Sequence, residues 1–302
     1  MKLLLPFVLT AFLVFGCTKK DETGPMLHFK VRLSATQDRL GNDGSPTQVG
    51  PGNAAQTPTA NLVSVSYIEL MSDSRTQLGN GAVLYKGAET TAGGGTAIDF
   101  SQAKMGKDGD VLISIPLKNL PAGVYTFVRS AVTYQNMGLT FNLLNVPSAG
   151  ILPGEKGVLA AFPGYNTYLT QYLINRTQDV VNGNRKQGYW AFETTLRSAF
   201  ASYDRVVKGQ SPAGRTTVVN PLNSTSPIPS GSDVITGNFD APLTITGKET
   251  SDVTISLSFS INNSFEWQDT RANGQWDIDI FGQTVEPVVD MGFRGLRVAV
   301  EN

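Results

Sequence analysis

The sequence is poor in the residues that most often carry chemistry or covalent stabilisation. It contains one cysteine, Cys17, and one histidine, His28, and only 16% of its 302 residues are charged. A single cysteine excludes an internal disulfide. Any nucleophile activated by histidine would have to use His28. The stability of the chain must therefore come from a packed core, which a chain of this length can form.

Neither sign of charge is in excess. The formal net charge is -1, with 24 Lys and Arg against 25 Asp and Glu. Nucleic-acid-binding proteins usually carry a basic excess, so no nucleic-acid partner is expected. The hydrophobic fraction of 40% supports a folded core, and the 31 glycines favour strands and turns over long surface helices.

The longest apolar run stands at the start of the chain. Lys2 precedes residues 3–15, which are apolar except at Pro6 and Thr10. A run of this length is short for a membrane-spanning helix, which needs about 20 residues. It has the length of the apolar region of a signal peptide.

The residues that follow this run resemble the lipobox of bacterial lipoproteins: Val14, Phe15, Gly16 and Cys17. The resemblance implies cleavage between Gly16 and Cys17 and acylation of Cys17, so that the expected partner is the lipid of an outer membrane. Two or three acyl chains make such an attachment effectively permanent. The alternative is an ordinary secretory signal with an incidental cysteine. Lipidation would also remove the only thiol from any catalytic role.

Four charged residues after the cysteine predict the orientation of the protein. Lys19, Lys20, Asp21 and Glu22 resemble the surface-export signal of Bacteroidota lipoproteins. This resemblance implies display on the outer face of the outer membrane. The alternative is a plain solvated tether.

The remainder of the chain is patterned for β-structure. Apolar and polar residues alternate in 27–33 and most clearly in 253–261, as in strands with one buried face. Pro116 lacks an N–H group, so its strand should end at a sheet edge or bulge. Further strands are predicted at 62–70, 82–85, 112–117, 124–134, 141–146, 158–162, 189–194, 243–245 and 296–300.

Two segments of the middle region are ambiguous. Residues 165–176 have aromatic residues at helical spacing but a composition that fits a strand, and residues 196–207 predict a short helix. Residues 212–232 are rich in Pro, Ser, Thr and Asn and predict a long loop.

These patterns predict an all-β protein, an antiparallel immunoglobulin-like β-sandwich with long loops and at most one or two short helices. We expect a signal peptide at 1–16, a lipidated tether at 17–25 and one sandwich domain at 26–302.

The order of four features is similar to that of the MbnP-like domains of Bacteroidota lipoproteins: the strands at 27–33 and 62–70, the turn sequence Leu-Pro-Ala-Gly-Val-Tyr-Thr at 120–126, and the strand that runs into Asn262-Asn263-Ser264-Phe265. The association of that family with copper does not carry over. Copper sites usually recruit His, Cys or Met, and His28 is the only histidine.

Residues 269–279 are the best candidate for a metal site. A calcium loop presents oxygen ligands around a glycine turn, and this segment offers Asp269, Asn273, Asp277 and Asp279. The match to an EF-hand loop is degenerate, because Arg271 and Ile280 replace oxygen ligands. The alternative is a hairpin with a type I′ turn on Asn273-Gly274. Calcium is the only cofactor that the sequence suggests.

Aromatic and acidic residues suggest sugar chemistry. Trp190, Trp267 and Trp276 are candidates for stacking on sugar rings, although aromatic residues mostly fill cores. A glycosidase needs two carboxylates across a cleft, and the candidates are Glu193, Glu266 and Asp269. Separately, Asp290 and Arg294 predict a turn closed by an ion pair.

The expected function is that of an outer-membrane-anchored, surface-exposed lipoprotein. It would act as a non-enzymatic binding or structural module of the cell envelope, with an envelope protein or a glycan as partner. The alternative is a carbohydrate-active hydrolase or glycan-binding protein that uses the aromatic residues and paired carboxylates. The sequence holds no G-x-S-x-G, P-loop or H-E-x-x-H motif.

Overall fold

The computed structural model describes residues 24–41, 43–212 and 233–301. Within these ranges the chain forms 20 β-strands and three short 3₁₀ helices, at Phe100–Gln102, Leu117–Asn119 and Ser198–Tyr203. The all-β prediction is therefore confirmed. No helix in this part of the chain is long and apolar enough to cross a membrane. The signal peptide, Cys17, the export signal and most of the loop at 212–232 lie outside the described residues.

The strands of the first half are, in chain order, β1 (Met26–Ser34), β2 (Asn53–Gln56), β3 (Thr59–Met71), β4 (Ala82–Lys86), β5 (Glu89–Thr90), β6 (Ala97–Asp99), β7 (Val111–Pro116), β8 (Gly123–Val146), β9 (Gly150–Phe162) and β10 (Thr167–Leu173). Those of the second half are β11 (Gln178–Arg185), β12 (Tyr189–Thr195), β13 (Val206–Gln210), β14 (Asp233–Ile245), β15 (Val253–Ser260), β16 (Phe265–Gln268), β17 (Asp277–Asp279), β18 (Thr284–Val285), β19 (Val288–Asp290) and β20 (Leu296–Glu301).

One sheet of 13 strands dominates the fold. Its main order is β13-β12-β9-β8-β14-β20-β15-β1-β7, and the β3–β4 and β17–β18 pairs attach to β8. Two smaller sheets have the orders β11-β10-β6-β5 and β19-β16-β2. β7 is the terminal strand of the main order, which confirms the edge position predicted from Pro116.

The large sheet is mixed, whereas the sequence led us to expect antiparallel strands. β1 runs parallel to β15 from Leu27 opposite Val253 to Ser34 opposite Ser260, and β14 also pairs parallel with β20. Parallel neighbours need a long connection, and most of the chain separates β1 from β15. Local patterns cannot reveal such a pairing. The immunoglobulin-like assignment stays a prediction.

The long strand β8 connects two hydrophobic cores, because its first half packs into one core and its second half into the other. Val128 and Val132 pack into a core that contains Leu27, Phe29 and Leu257. The second half packs into another core through Met137, Leu139, Phe141 and Leu143. The strands predicted separately at 124–134 and 141–146 are thus one strand. Full burial of each such side chain contributes about 1.5 to 3 kcal/mol.

The two ambiguous segments resolve towards β-structure. Residues 165–176 contain β10, which pairs with β11 and β6. The helix predicted at 196–207 is reduced to the 3₁₀ turn Ser198–Tyr203, and β13 follows it. Pairing with β12, in which Val207 lies opposite Phe192, gives the last residues of this segment a sheet partner that the helical pattern did not reveal.

Candidate functional site

The three tryptophans fill a core and do not form a sugar-binding surface. Trp190, Trp267 and Trp276 are 5%, 1% and 0% exposed and share one cluster. The Trp276 ring meets Trp190 edge-on at 6.1 Å between centroids, and its Nε1 donates to the carbonyl of Glu286 at 3.0 Å. A ring that stacks on a sugar needs a face open to solvent. The prediction of sugar stacking is therefore corrected: these rings have a packing role.

The candidate calcium loop at 269–279 is held by hydrogen bonds within the protein. Asp269 accepts the backbone N–H groups of Asn273 and Gly274 at 3.1 and 2.8 Å. Asp277 pairs with Arg271 Nε at 3.0 Å and accepts an amide N–H of Asn273 at 2.8 Å.

Asp279, another candidate calcium ligand, also accepts hydrogen bonds from within the protein. Asp279 accepts the backbone N–H groups of Phe281 and Gly282 and the side-chain amide of Asn145. Burial works to raise the pKa of Asp279, but these donors outweigh it and hold the pKa below its ordinary value. Among the described residues, no group of three or more His, Cys, Asp and Glu is arranged to hold a metal ion. Calcium at this loop stays an untested prediction.

The hairpin alternative for this segment is wrong. A type I′ turn needs positive φ at both central residues, but positive φ occurs at Ala272 and Gly274 and not at Asn273. The flanking strands do not pair with each other: β16 pairs with β2 and β19, and β17 pairs with β18 and β8. The segment is an irregular loop closed by its own side chains.

Both oxygens of the Glu193 carboxylate interact with other groups of the protein. Its Oε2 accepts the backbone N–H groups of Asn175, Arg176 and Thr177 at 3.0 to 3.1 Å, and its Oε1 lies 3.5 Å from Arg176 Nε. Burial works to raise its pKa, but the N–H groups outweigh that effect and hold the pKa below its ordinary value. Such a group stays ionised and suits neither a general acid nor an accessible nucleophile.

Glu266, the second predicted carboxylate, belongs to a buried charge cluster. Arg39 Nη2 lies 2.5 Å from Glu266 Oε2, and Asn53 Nδ2 and Gly50 N donate to Glu266 Oε1 at 2.7 and 3.0 Å. Arg294 pairs with Asp290, which confirms the ion pair predicted from their spacing. Sequence reasoning missed Arg39, because it lies in a loop far from these residues in the chain.

His28 bridges two other side chains on the edge of the large sheet. Its Nδ1 lies 2.7 Å from Ser114 Oγ and its Nε2 lies 3.3 Å from Asp252 Oδ2. Asp252 Oδ1 also accepts the backbone N–H of Met26 at 2.8 Å, and that bond, followed by the one from His28, holds the pKa of Asp252 below its ordinary value. The arrangement ties the start of β1 to its neighbours on a solvent-exposed face.

A groove with several polar side chains on a mainly apolar lining surface crosses four adjacent strands on one face of the large sheet. One row across it contains Thr59, Gly138 and Val158, which are paired residues of β3, β8 and β9. The next row contains Thr140, Lys156 and Thr195 of β8, β9 and β12. Paired residues of neighbouring strands point to the same face, so both rows line one groove. Its volume is about 450 Å³, and its lining also includes Gln56, Thr57, Asn61 and Asn175.

The groove presents amides, hydroxyls and one cation. Asn175 Nδ2 donates to Thr195 Oγ1 at 3.1 Å, and Gln56 exchanges hydrogen bonds with the backbone of Thr140 at 2.9 and 3.0 Å. Lys156 and the hydroxyl of Thr59 are exposed and have no side-chain partner within the described ranges. These two groups are available to a ligand.

Gly138 lies at the bottom of the groove and adds no side chain to it. A Cβ atom at Gly138 would meet only Thr59, at 3.5 Å from its Cβ and 3.8 Å from its carbonyl oxygen, which is ordinary contact. The backbone at this position therefore accepts a side chain without a clash. Glycine weakens a strand and often marks a site where another molecule approaches the backbone.

Fold and site together define a β-sandwich with a surface groove that carries several polar side chains and one lysine. Comparison with protein-family models, with curated proteins and with solved structures found no significant match for this chain. The MbnP-like resemblance therefore stays a prediction. Sequence reasoning missed the groove, because only strand register brings Thr59, Gly138 and Lys156 together. The one local signal was a glycine in the interior of β8.

Proposed function

We propose that this protein is a surface-displayed lipoprotein, anchored in an outer membrane by acylated Cys17, that acts as a non-enzymatic binding module of the cell envelope. The groove between Thr59 and Thr195 is the observation that carries the binding function. It combines available polar groups with a glycine floor. The lipobox and the charged residues 19–22 support the anchoring and the outward orientation.

Surface labelling of intact cells tests this proposal. The wild-type protein should react with a membrane-impermeant biotin reagent before the cells are broken. A variant with alanine at Lys19, Lys20, Asp21 and Glu22 should remain in the membrane fraction but react only after lysis. Equal labelling of both proteins would contradict the role of these residues, and failure of the wild type to react in intact cells would contradict surface display.

The predicted glycosidase alternative gains little support from the carboxylates. Glu193 is held by three N–H groups and Arg176, Glu266 by Arg39, and Asp269 by two N–H groups of its own loop. Each is committed to a structural contact, whereas a glycosidase acid must be able to exchange a proton with its substrate.

A second candidate function, acyl hydrolysis, has one observation in its favour. Ser114, His28 and Asp252 form a chain of hydrogen bonds with the residue types of a catalytic triad. Their open position on a sheet edge leaves the site wet, whereas oxyanion stabilisation relies on a water-excluded site. We expect a fluorophosphonate probe to leave Ser114 unmodified in an intact-mass measurement. A single adduct that disappears in Ser114→Ala would favour hydrolysis over binding.

A further inference from the structure

We infer that the groove binds a saccharide that carries a carboxylate, with Lys156 as the contact for the negative charge; this inference rests on the proposed binding function. Lys156 stands in the centre of one row, directly opposite Thr140 on one side and Thr195 on the other. The ammonium group can bind a carboxylate by a charge-assisted hydrogen bond, and the Thr195 hydroxyl, which accepts from Asn175 Nδ2, can still donate to a neighbouring oxygen. The Thr140 hydroxyl donates to Gln56 Oε1 at 3.2 Å and keeps only its capacity to accept.

The charges around the groove leave Lys156 uncompensated. Glu193 lies on the same strand face as Thr195, but it is buried, its Oε2 accepts three backbone N–H groups, and its Oε1 faces Arg176, which also pairs with Asp204 at 2.8 Å. The neighbouring residue Glu155 points to the other face and pairs with Arg197. The groove lining itself contains no carboxylate, so an anion in the groove gains attraction from Lys156.

The other polar residues of the groove lining can form hydrogen bonds with hydroxyl groups of a ligand. Thr59 offers its hydroxyl. Thr57, Asn61 and Asn175 keep part of their hydrogen-bonding capacity beside the bonds that they form with Asn263 N, Asn136 Oδ1 and Thr195 Oγ1. Sugar hydroxyls likewise both donate and accept. An acidic peptide would instead present amides and longer side chains, and it would gain most from several cations, whereas the groove lining contains one lysine and no arginine.

Gly138 leaves space for the ligand, because it has no side chain. Gly138 pairs with Thr59 and Val158 in the row next to Lys156, so a ring bound beside the lysine would lie over the backbone of β8. A side chain at position 138 would occupy that space. This position allows a substitution that blocks the groove while the fold is kept, because the first added carbon meets only ordinary contacts.

The direct test is titration of the detergent-solubilised mature protein with trigalacturonic acid and with its neutral methyl ester. The acid should bind at least three-fold more tightly than the ester, and its affinity should fall as salt is raised from low to high concentration. Lys156→Gln should weaken binding of the acid about five-fold, as expected for an exposed ion pair, and remove the difference between acid and ester. Lys118 is an exposed lysine outside the groove. Lys118→Gln should therefore change neither the affinity for the acid nor the difference between acid and ester.

Gly138→Val distinguishes groove binding from binding elsewhere. It should abolish binding of both probes and leave the melting temperature unchanged or raised, because valine is favoured over glycine in strands. Retained binding of the acid in Gly138→Val would overturn the inference. So would equal binding of acid and ester, or equally tight binding of tri-glutamate.

The outcomes separate this inference from the proposed function. Binding of a neutral saccharide in the groove would overturn the charge preference and support the binding module. If none of the probes binds, the ligand assignment is wrong, and surface labelling then decides separately whether the protein is displayed.

Discussion

Glu266 and Asp290 lie directly opposite each other on β16 and β19, and each carboxylate has its own arginine. The four side chains are 10% exposed or less. Two acids at such close range repel each other unless both are compensated. The arginines come from outside these strands, so the small sheet is coupled electrostatically to the loop of Arg39 and the turn of Arg294.

The first prediction concerns the pH dependence of stability. Burial raises the pKa of Asp290 to about 6, and Glu266 acts in the same direction against the opposing effect of Arg294. Between the ordinary value of 3.8 and about 6, the folded chain keeps a proton that the unfolded chain has lost. The contribution of Asp290 therefore stabilises the fold below this window and is lost as the pH rises through it.

Asp290→Asn tests this prediction, because asparagine keeps the shape but does not titrate. We expect urea unfolding to show that, between pH 4 and 7, the free energy of unfolding of the wild type falls by about 2 kcal/mol relative to that of the variant. Comparison of the two proteins cancels the titration of groups that they share. Parallel stability curves would show that Asp290 titrates near its ordinary value.

The second prediction concerns the partner of Glu266. Arg39→Met should reduce the free energy of unfolding by about 3 to 5 kcal/mol, because it leaves a buried carboxylate without its counter-charge. The double variant Arg39→Met, Glu266→Gln should recover part of the loss. Chemical denaturation measures both values. A loss below about 1 kcal/mol in the single variant would mean that solvent reaches this pair.

A third prediction follows from the burial of the tryptophans. Trp276→Ala should cost about 3 to 5 kcal/mol of stability, because it empties the centre of an aromatic cluster. Val180 is 65% exposed, and Val180→Ala should change stability by less than about 0.5 kcal/mol. Acrylamide should quench the native tryptophan emission only weakly. Strong quenching would show that the rings are accessible and would restore the sugar-stacking interpretation.

The fourth prediction concerns calcium. Because Asp269, Asp277 and Asp279 are engaged by donors of the protein itself, EDTA should leave the melting temperature unchanged, and added calcium should not raise it. Scanning calorimetry in both conditions measures this. A rise of several degrees with calcium, lost in Asp277→Asn, would mean that the loop rearranges around an ion.

The amino-acid pattern predicts the strands better than the way they assemble. Alternation in 253–261 identified β15, because one face of that strand is buried. The same reasoning failed between 135 and 140, where Asn136 and Gly138 interrupt the apolar pattern of what is a single strand. Both residues line or border a polar face, so the break reflects the groove and not the end of the strand.

The candidate site was the least predictable part. Lys156 and Thr140 are 16 positions apart in the sequence, and only the β8–β9 register makes them neighbours. The charge cluster depends on Arg39 and Glu266, which more than 200 positions separate. By contrast, Asp290 and Arg294 could be paired from sequence, because their contact is local.

The central claim is that acylated Cys17 anchors this sandwich. Its most direct test is the intact mass of the protein extracted from membranes, together with that of Cys17→Ala. The wild type should begin at residue 17 and carry the mass of two or three acyl chains, and the variant should leave the membrane fraction or retain its signal peptide. A wild-type chain that begins elsewhere and carries no lipid would contradict the claim.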